Sequence, residues 1–217
     1  MQKGEYLRLI KEGKKSFPEL AAQLAAIGRE FYARGWVLGT SGNLSAVISR
    51  EPLRIAITSS GLDKGELAAT HFLEIDSDAN VIEGEGRPSA ETLLHIAVAK
   101  LRGAGAVLHT HSVWSNILSD AHASEGGVTI EGYEMLKGLE GVSTHEHSEW
   151  LPVIENSQDM RSLAVSVEAM LREQTNVHGF LLRRHGLYTW GSNLAEAKRH
   201  VEIFEFLLEV LGRTYSS

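Results

Sequence analysis

Residues 107–116 read VLHTHSVWSN: an apolar run, two histidines two positions apart, and the start of an amphipathic segment. The run GAVLHTH predicts a buried strand, and SVWSNILSDA a helix directly after it. On a strand, alternate residues share a face and lie about 6.5–7 Å apart along the chain, so His109 and His111 can turn toward one ion. A catalytic first-row ion such as zinc takes nitrogen ligands at about 2.0–2.1 Å and usually three protein ligands, so a third must come from elsewhere. The pair alone leaves metal binding and ordinary packing equally open, because a histidine at a strand end is commonly just a hydrogen-bonded rim residue.

His185 is the better candidate for the third position. It follows an apolar strand and precedes a glycine in FLLRRHGLYTWG, where Gly186 permits a tight turn. A plain strand-turn-strand with a polar tip explains it as well. Arg183 and Arg184 beside a cation are unfavourable unless an anion shares the site, which points to a phosphate or carboxylate substrate. A second pair, His145 and His147 in THEHSEW, has the same spacing in a polar setting that reads as a solvated loop.

Outward from this stretch, helices and strands alternate. SFPELAAQLAAIGREFYARG reads as a helix capped by Ser16 and ended by Gly35, with Phe17, Leu20, Leu24, Ile27 and Phe31 on its apolar face. NLSAVIS and LRIAIT are strands joined at Glu51-Pro52, and FLEIDSDANVIEG is a hairpin. SAETLLHIAVAKLR, DMRSLAVSVEAMLREQ and NLAEAKRHVEIFEFLLEVLGR are helices, EMLKGL a helical turn, and HGFLLRR and GLYTWG strands. Several strands are joined by tight turns. The chain therefore reads as an α/β protein, a mixed or antiparallel sheet covered by helices, in a single domain over 1–217.

GTSGNLS (39–45) and TSSGLDKGEL (58–67) place small hydroxyl residues and glycines at strand ends, where exposed backbone N–H groups can receive an anion, and Lys64 adds charge. Ser89 opens a helix and joins this set. Glu91 falls in that helix's first turn, where a carboxylate also suits the helix dipole.

Composition narrows the function classes. Of 217 residues, 21 are Lys or Arg and 28 are Asp or Glu, a net charge of −7. With no basic stripe beyond Lys14-Lys15 and Arg183-Arg184, nucleic acid is not an expected partner. The absence of cysteine excludes disulfides, cysteine zinc fingers and thiol catalysis. The N-terminus lacks an apolar stretch of signal-peptide length, and no run approaches the roughly 20 apolar residues of a membrane helix. A cytoplasmic protein is expected.

GTSGNLS, ITSSGL, PSAET, VLHTHS and RRHGLYTWG occur in the order found in the class II aldolase/adducin family, which the chain resembles over nearly its whole length. The resemblance implies a three-layer α/β/α fold with a largely antiparallel central sheet. It implies one zinc ion (Zn2+) per subunit, held by His109, His111 and His185, and a substrate phosphate received by Ser41, Gly42 and Asn43 with Ser59, Ser60 and Gly61. EGYEMLKGL and the form RRHG resemble the family's dehydratases, which implies loss of water from a methylthio-substituted ketopentose phosphate with Glu134 as acid–base. Glu91 matches a metal-proximal glutamate of the family's aldolases, so its task stays open. A sugar-phosphate aldolase, a pentulose-phosphate epimerase and a non-catalytic adducin-like binding module are the alternatives. Three intact ligand positions stand against the last. The family's cyclic tetramers imply a homotetramer here. Trp114, Tyr133 and Met135 lie near the motifs and fit either the methylthio group or plain packing.

Overall fold

The computed structural model describes residues 15–215; residues 1–14, including Lys14, and 216–217 lie outside the described residues. The chain runs α1 (Phe17–Ala33), β1 (Asn43–Arg50), β2 (Leu53–Thr58), β3 (Phe72–Ile75), β4 (Val81–Glu83), α2 (Thr92–Leu101), β5 (Ala106–Thr110), α3 (Val113–Ala121) and β6 (Gly127–Glu131). It continues through β7 (Ser148–Ile154), α4 (Met160–Glu173), β8 (Gly179–Leu182), β9 (Gly186–Gly191) and α5 (Leu194–Tyr215).

Among the described residues one nine-stranded sheet holds all the strands, in the order β4-β3-β2-β1-β5-β9-β8-β7-β6. Every neighbouring pair is antiparallel except β7 with β8, whose parallel pairing needs the α4 crossover. Side chains alternate across β5: Ala106 and Leu108 pack with α1 and the start of α5, while Val107 packs with α2 and α4. Helices thus cover both faces, α1, α3 and α5 on one and α2 and α4 on the other. This is the three-layer α/β/α arrangement with a largely antiparallel sheet.

The expected helix α1 begins after Ser16 as read: Glu19 accepts from both the Ser16 N–H and the Ser16 hydroxyl, the glutamate half of a capping box. Phe17, Leu20, Leu24, Ile27 and Phe31 are all buried, each contributing about 1.5–3 kcal/mol by leaving water. The local pattern marks no strand at β6 or β7, and the helix expected from Ser89 begins three residues later, at Thr92. Glu91 instead occupies the position before Thr92.

Candidate metal and anion site

His109 is the next-to-last residue of β5 and sits opposite Asn43 on β1 and Tyr188 on β9. Its ring is fully buried and stacks on Tyr188, with centroids 3.8 Å apart. Its Nδ1 donates to the Leu187 carbonyl at 2.9 Å, which fixes the tautomer and leaves Nε2 as an acceptor. His111 lies just past the strand, its backbone N–H bonded to the Trp36 carbonyl at 2.7 Å. His185 rides the β8–β9 turn, whose tip is docked on α3: Asn116 donates to the His185 carbonyl at 2.9 Å, and the Arg184 N–H to Ser119 Oγ at 3.0 Å.

The three rings meet. His109 Nε2 is 2.8 Å from His111 Nε2 and 3.3 Å from His185 Nε2. Glu91 joins them, with Oε1 3.0 Å from His185 Nε2 and Oε2 3.8 Å from His109 Nε2. One ligand atom from each of the four lies within 4.8 Å of the others. Lone pairs and a carboxylate converging in a buried corner call for a cation. Nitrogens each about 2.0–2.1 Å from a tetrahedral ion stand roughly 3.3 Å apart, so the donor set fits one. Burial disfavours charge on two of the rings: it lowers His111 to about 4 and, with His111 beside it, sets His109 well below its ordinary value. For Glu91, burial pushes upward, but the hydrogen bonds from His185 and Asn43 outweigh it and hold the carboxylate well below its usual range.

A buried chain of bonds supports Glu91 from behind. Asn43 donates its amide N–H to Glu91, and its amide oxygen accepts from His95 Nε2. Ser45 Oγ is 2.7 Å from His95 Nδ1. His95 is fully buried, and burial lowers its pKa to about 4.

Beside the metal corner opens a cavity of about 250 Å³. Ser41, Gly42, Asn43, Ser59, Ser60, Gly61, Ser89, Glu91, His111 and His185 all line it, and His109 lies beneath. The β-bridge between Ser59 and Pro88 brings the two halves of this lining together. Lys64 also lines it and is only 2% exposed. Its ammonium donates to the Thr40 carbonyl at 3.0 Å and the Leu62 carbonyl at 2.9 Å, tying one small-residue loop to the other. N–H groups, hydroxyls and one ammonium give such a cavity the means to hold a small anion.

Other expectations land elsewhere. Glu134 is 72% exposed, paired with Lys137 at 2.7 Å, and does not line the cavity. Arg183 and Arg184 do not face the metal corner as its sequence neighbourhood suggested. Both bind Asp120, at 2.8 and 2.9 Å, and Arg183 also binds Glu155 at 2.9 Å. Their charge is already paired, so it carries no argument for an anionic substrate. Trp114, Tyr133 and Met135 do not line the cavity either, whereas Asn156, Gln158 and Met160 do. Sequence reading missed these three. The only signal was the polar run before α4, where Asp159 caps the helix. His145 and His147 lie in a loop before β7, as expected, with His145 exposed; His147 is half-buried and donates to the buried Glu149 at 2.8 Å.

Residues 22–211 match the family described as Class II Aldolase and Adducin N-terminal domain. Methylthioribulose-1-phosphate dehydratase from Xanthomonas campestris pv. campestris (strain 8004) is 46% identical over 191 residues, covering 88% of this chain and 87% of that protein. The protein of the same name from Sorangium cellulosum (strain So ce56) is 43% identical over 196 residues, covering 89% and 92%. Among solved structures, L-fuculose-1-phosphate aldolase from Thermus thermophilus superposes with a TM-score of 0.72 at 24% identity, covering 93% of this chain and 98% of that one. No described helix is long and apolar enough to cross a membrane.

Proposed function

The chain belongs to the class II aldolase and adducin family, and from that premise we propose that it dehydrates 5-methylthioribulose 1-phosphate to 5-methylthio-2,3-diketopentyl 1-phosphate, a step of methionine salvage. The observation that carries the reading is the convergence of His109, His111 and His185 at the wall of a cavity built to receive an anion. The named dehydratase relatives, alike over nearly nine-tenths of the chain, support the choice of reaction. The whole chain, 1–217, acts as one catalytic domain, in the cytoplasm and as a homotetramer.

His109, His111 and His185 hold one divalent ion, zinc in this proposal, with Glu91 against it. Bound there, the ion supplies Lewis-acid stabilisation of negative charge developing on the substrate's C2 oxygen. The two small-residue loops and Lys64 bind the C1 phosphate, which fixes C2, C3 and C4 relative to the three histidines. Glu134 removes the C3 proton and returns a proton to the departing C4 hydroxyl, so that the atoms lost are those of one water. The enol left across C3 and C4 then relaxes to the 2,3-diketone. Glu134 is exposed and does not line its own chain's cavity; in the homotetramer of this proposal it serves the site of a neighbouring subunit. Asn43, anchored by His95, orients Glu91.

The test is to supply 5-methylthioribulose 1-phosphate to the zinc-loaded protein and follow the diketone absorbance. Diketone formed in step with substrate loss supports the reading. Release of dihydroxyacetone phosphate or glycolaldehyde instead makes the protein an aldolase, the reading that the close approach of Glu91 to His185 keeps in play. Glu134→Gln should retain zinc and lose turnover; near-normal turnover removes Glu134 as the base.

A further inference from the structure

At the ends of β8 and β9 remote from His185 lies a second group of histidines and carboxylates, none of which lines the cavity. Glu149 on β7 is 1% exposed. Its carboxylate accepts from His178 Nδ1 at 3.0 and 3.1 Å, from the His178 backbone N–H at 3.1 Å, and from His147 Nε2 at 2.8 Å. The other ring nitrogen of His178 lies 2.8 Å from the Glu140 carbonyl oxygen. Neither a carboxylate nor a carbonyl can donate. His178 makes both contacts only with a proton on each nitrogen, as an imidazolium. Burial works against that charge, but Glu149 outweighs it and raises the His178 pKa above its ordinary value.

His200 on α5 is the converse. Its Nδ1 is 2.7 Å from the Trp190 carbonyl and must donate, while the Glu140 backbone N–H points at its Nε2 from 3.2 Å and makes that atom an acceptor. Only the neutral ring does both. Burial lowers its pKa, and the neighbouring His178, with ring centroids 5.6 Å apart, lowers it further.

The backbone of Glu140 is therefore held at both its polar atoms, the carbonyl by His178 and the N–H by His200. Glu140 lies in the middle of a segment tied at other points too: Glu134 is 3.7 Å from His145 Nδ1, and His147 is bonded to Glu149. The remaining charged groups around the clasp are the Glu140 side chain, 3.6 Å from Arg199, and Glu196, 3.4 Å from the same guanidinium.

We propose that His178 as an imidazolium and His200 as a neutral ring clasp the backbone of Glu140 and so position the segment that presents Glu134. The two histidines are positioning residues that do not touch substrate, and the catalytic consequence rests on the reading of Glu134 given above. The clasp is complete below the raised pKa of His178 and above the lowered pKa of His200. Deprotonating His178 frees either Glu149 or the Glu140 carbonyl. Protonating His200 expels the Glu140 N–H.

The test uses the full zinc-loaded chain. Imidazole nitrogen NMR over a pH series should show His178 titrating above 6.5 and protonated on both nitrogens below that point, and His200 neutral there with its proton on Nδ1. In His178→Gln, amide exchange across residues 139–147 should rise and kcat should fall by about tenfold or more, as misplacement of a reacting group does. KM and zinc content should stay unchanged. A His178 that titrates at or below 6.5, or holds a proton on one nitrogen only throughout the acid range, overturns the clasp, and this measurement needs no variant to fold. Faster exchange with unchanged kcat overturns its positioning role. If Glu134→Gln keeps near-normal turnover, the reading of Glu134 fails by itself, and ring protonation and amide exchange still decide whether the clasp exists.

Discussion

His109 Nε2 and His185 Nε2 stand 3.3 Å apart although 76 residues separate them in the chain. The pairing of β5 with β9 places Thr110 opposite Leu187, which carries the turn bearing His185 to the end of the strand bearing His109. His109 is locked by its bond to Leu187, on that same partner strand. His109 is thus presented from within the sheet, and His111 and His185 each from one residue beyond the end of a paired strand.

Replacing any one of the three histidines with alanine should lower the metal content of the purified protein. Loss of Glu91, the fourth group in the corner, should act more mildly: Glu91→Gln keeps the shape but not the charge, and an effect of about 10–100-fold on metal affinity is expected of such a supporting group. Elemental analysis after dialysis against a graded chelator measures both. Full occupancy in a histidine variant removes that residue from the ligand set.

The close fit of β9 against β5 makes Gly186 sensitive. A Cβ there would lie far inside van der Waals contact with the Thr110 carbonyl oxygen and 3.1 Å from His109 Cε1. Both atoms belong to the strand that carries the metal corner, and the carbonyl cannot swing away as a flexible side chain can. Gly186→Ala should cost about 1–3 kcal/mol in urea unfolding, the usual range for overpacking, and should lower metal content as well. A variant of normal stability and normal metal content would disprove the coupling.

Much of this was legible in the sequence, for physical reasons that differ from residue to residue. His109 and His111 were readable because period-two spacing on an apolar strand is a local property, and α1 was readable because helical periodicity and its cap are local too. The location of Glu134 was not: a helical-turn motif says nothing about which surface it faces, and the structure puts it outside the cavity. β6 and β7 escaped because β6 is five residues with only Val128 and Ile130 clearly inward, and Pro152 weakens the strand signal of β7. Asn156, Gln158 and Met160 reach the cavity because β7 pairs with β8 in parallel and α4 must cross back, a long-range choice with no trace in the local pattern.

His95 predicts an acid-sensitive fold. Its pKa is about 4 when folded against an ordinary 6.5, so between those values the unfolded chain binds more protons than the folded one. The stabilisation is present in full above about pH 6.5 and is lost as the pH falls toward 4, amounting to roughly 3 kcal/mol. His95→Gln should flatten that limb. Urea unfolding at stepped pH values, with chelator present in both proteins, isolates the difference. Parallel curves for the two proteins would show that His95 does not titrate as its burial requires.

Lys64 gives the anion site its own pH signature. Its ammonium has three N–H groups, and two of them go to the Thr40 and Leu62 carbonyls, leaving one for the cavity it lines. Burial lowers its pKa to about 8. The charge offered to a phosphate is present below that value and lost above it. KM for the sugar phosphate should therefore climb as the pH rises through about 8, while the phosphate itself stays dianionic. Lys64→Met keeps the length and removes the charge. It should raise KM by about 10–100-fold, the loss of roughly 1.5–3 kcal/mol from one charge-assisted hydrogen bond, and it should remove the alkaline rise. Inorganic phosphate, used as a competitive inhibitor, should weaken in parallel. If KM in Lys64→Met still rises above pH 8, the titrating group is another one, and Lys64 only ties the two loops together.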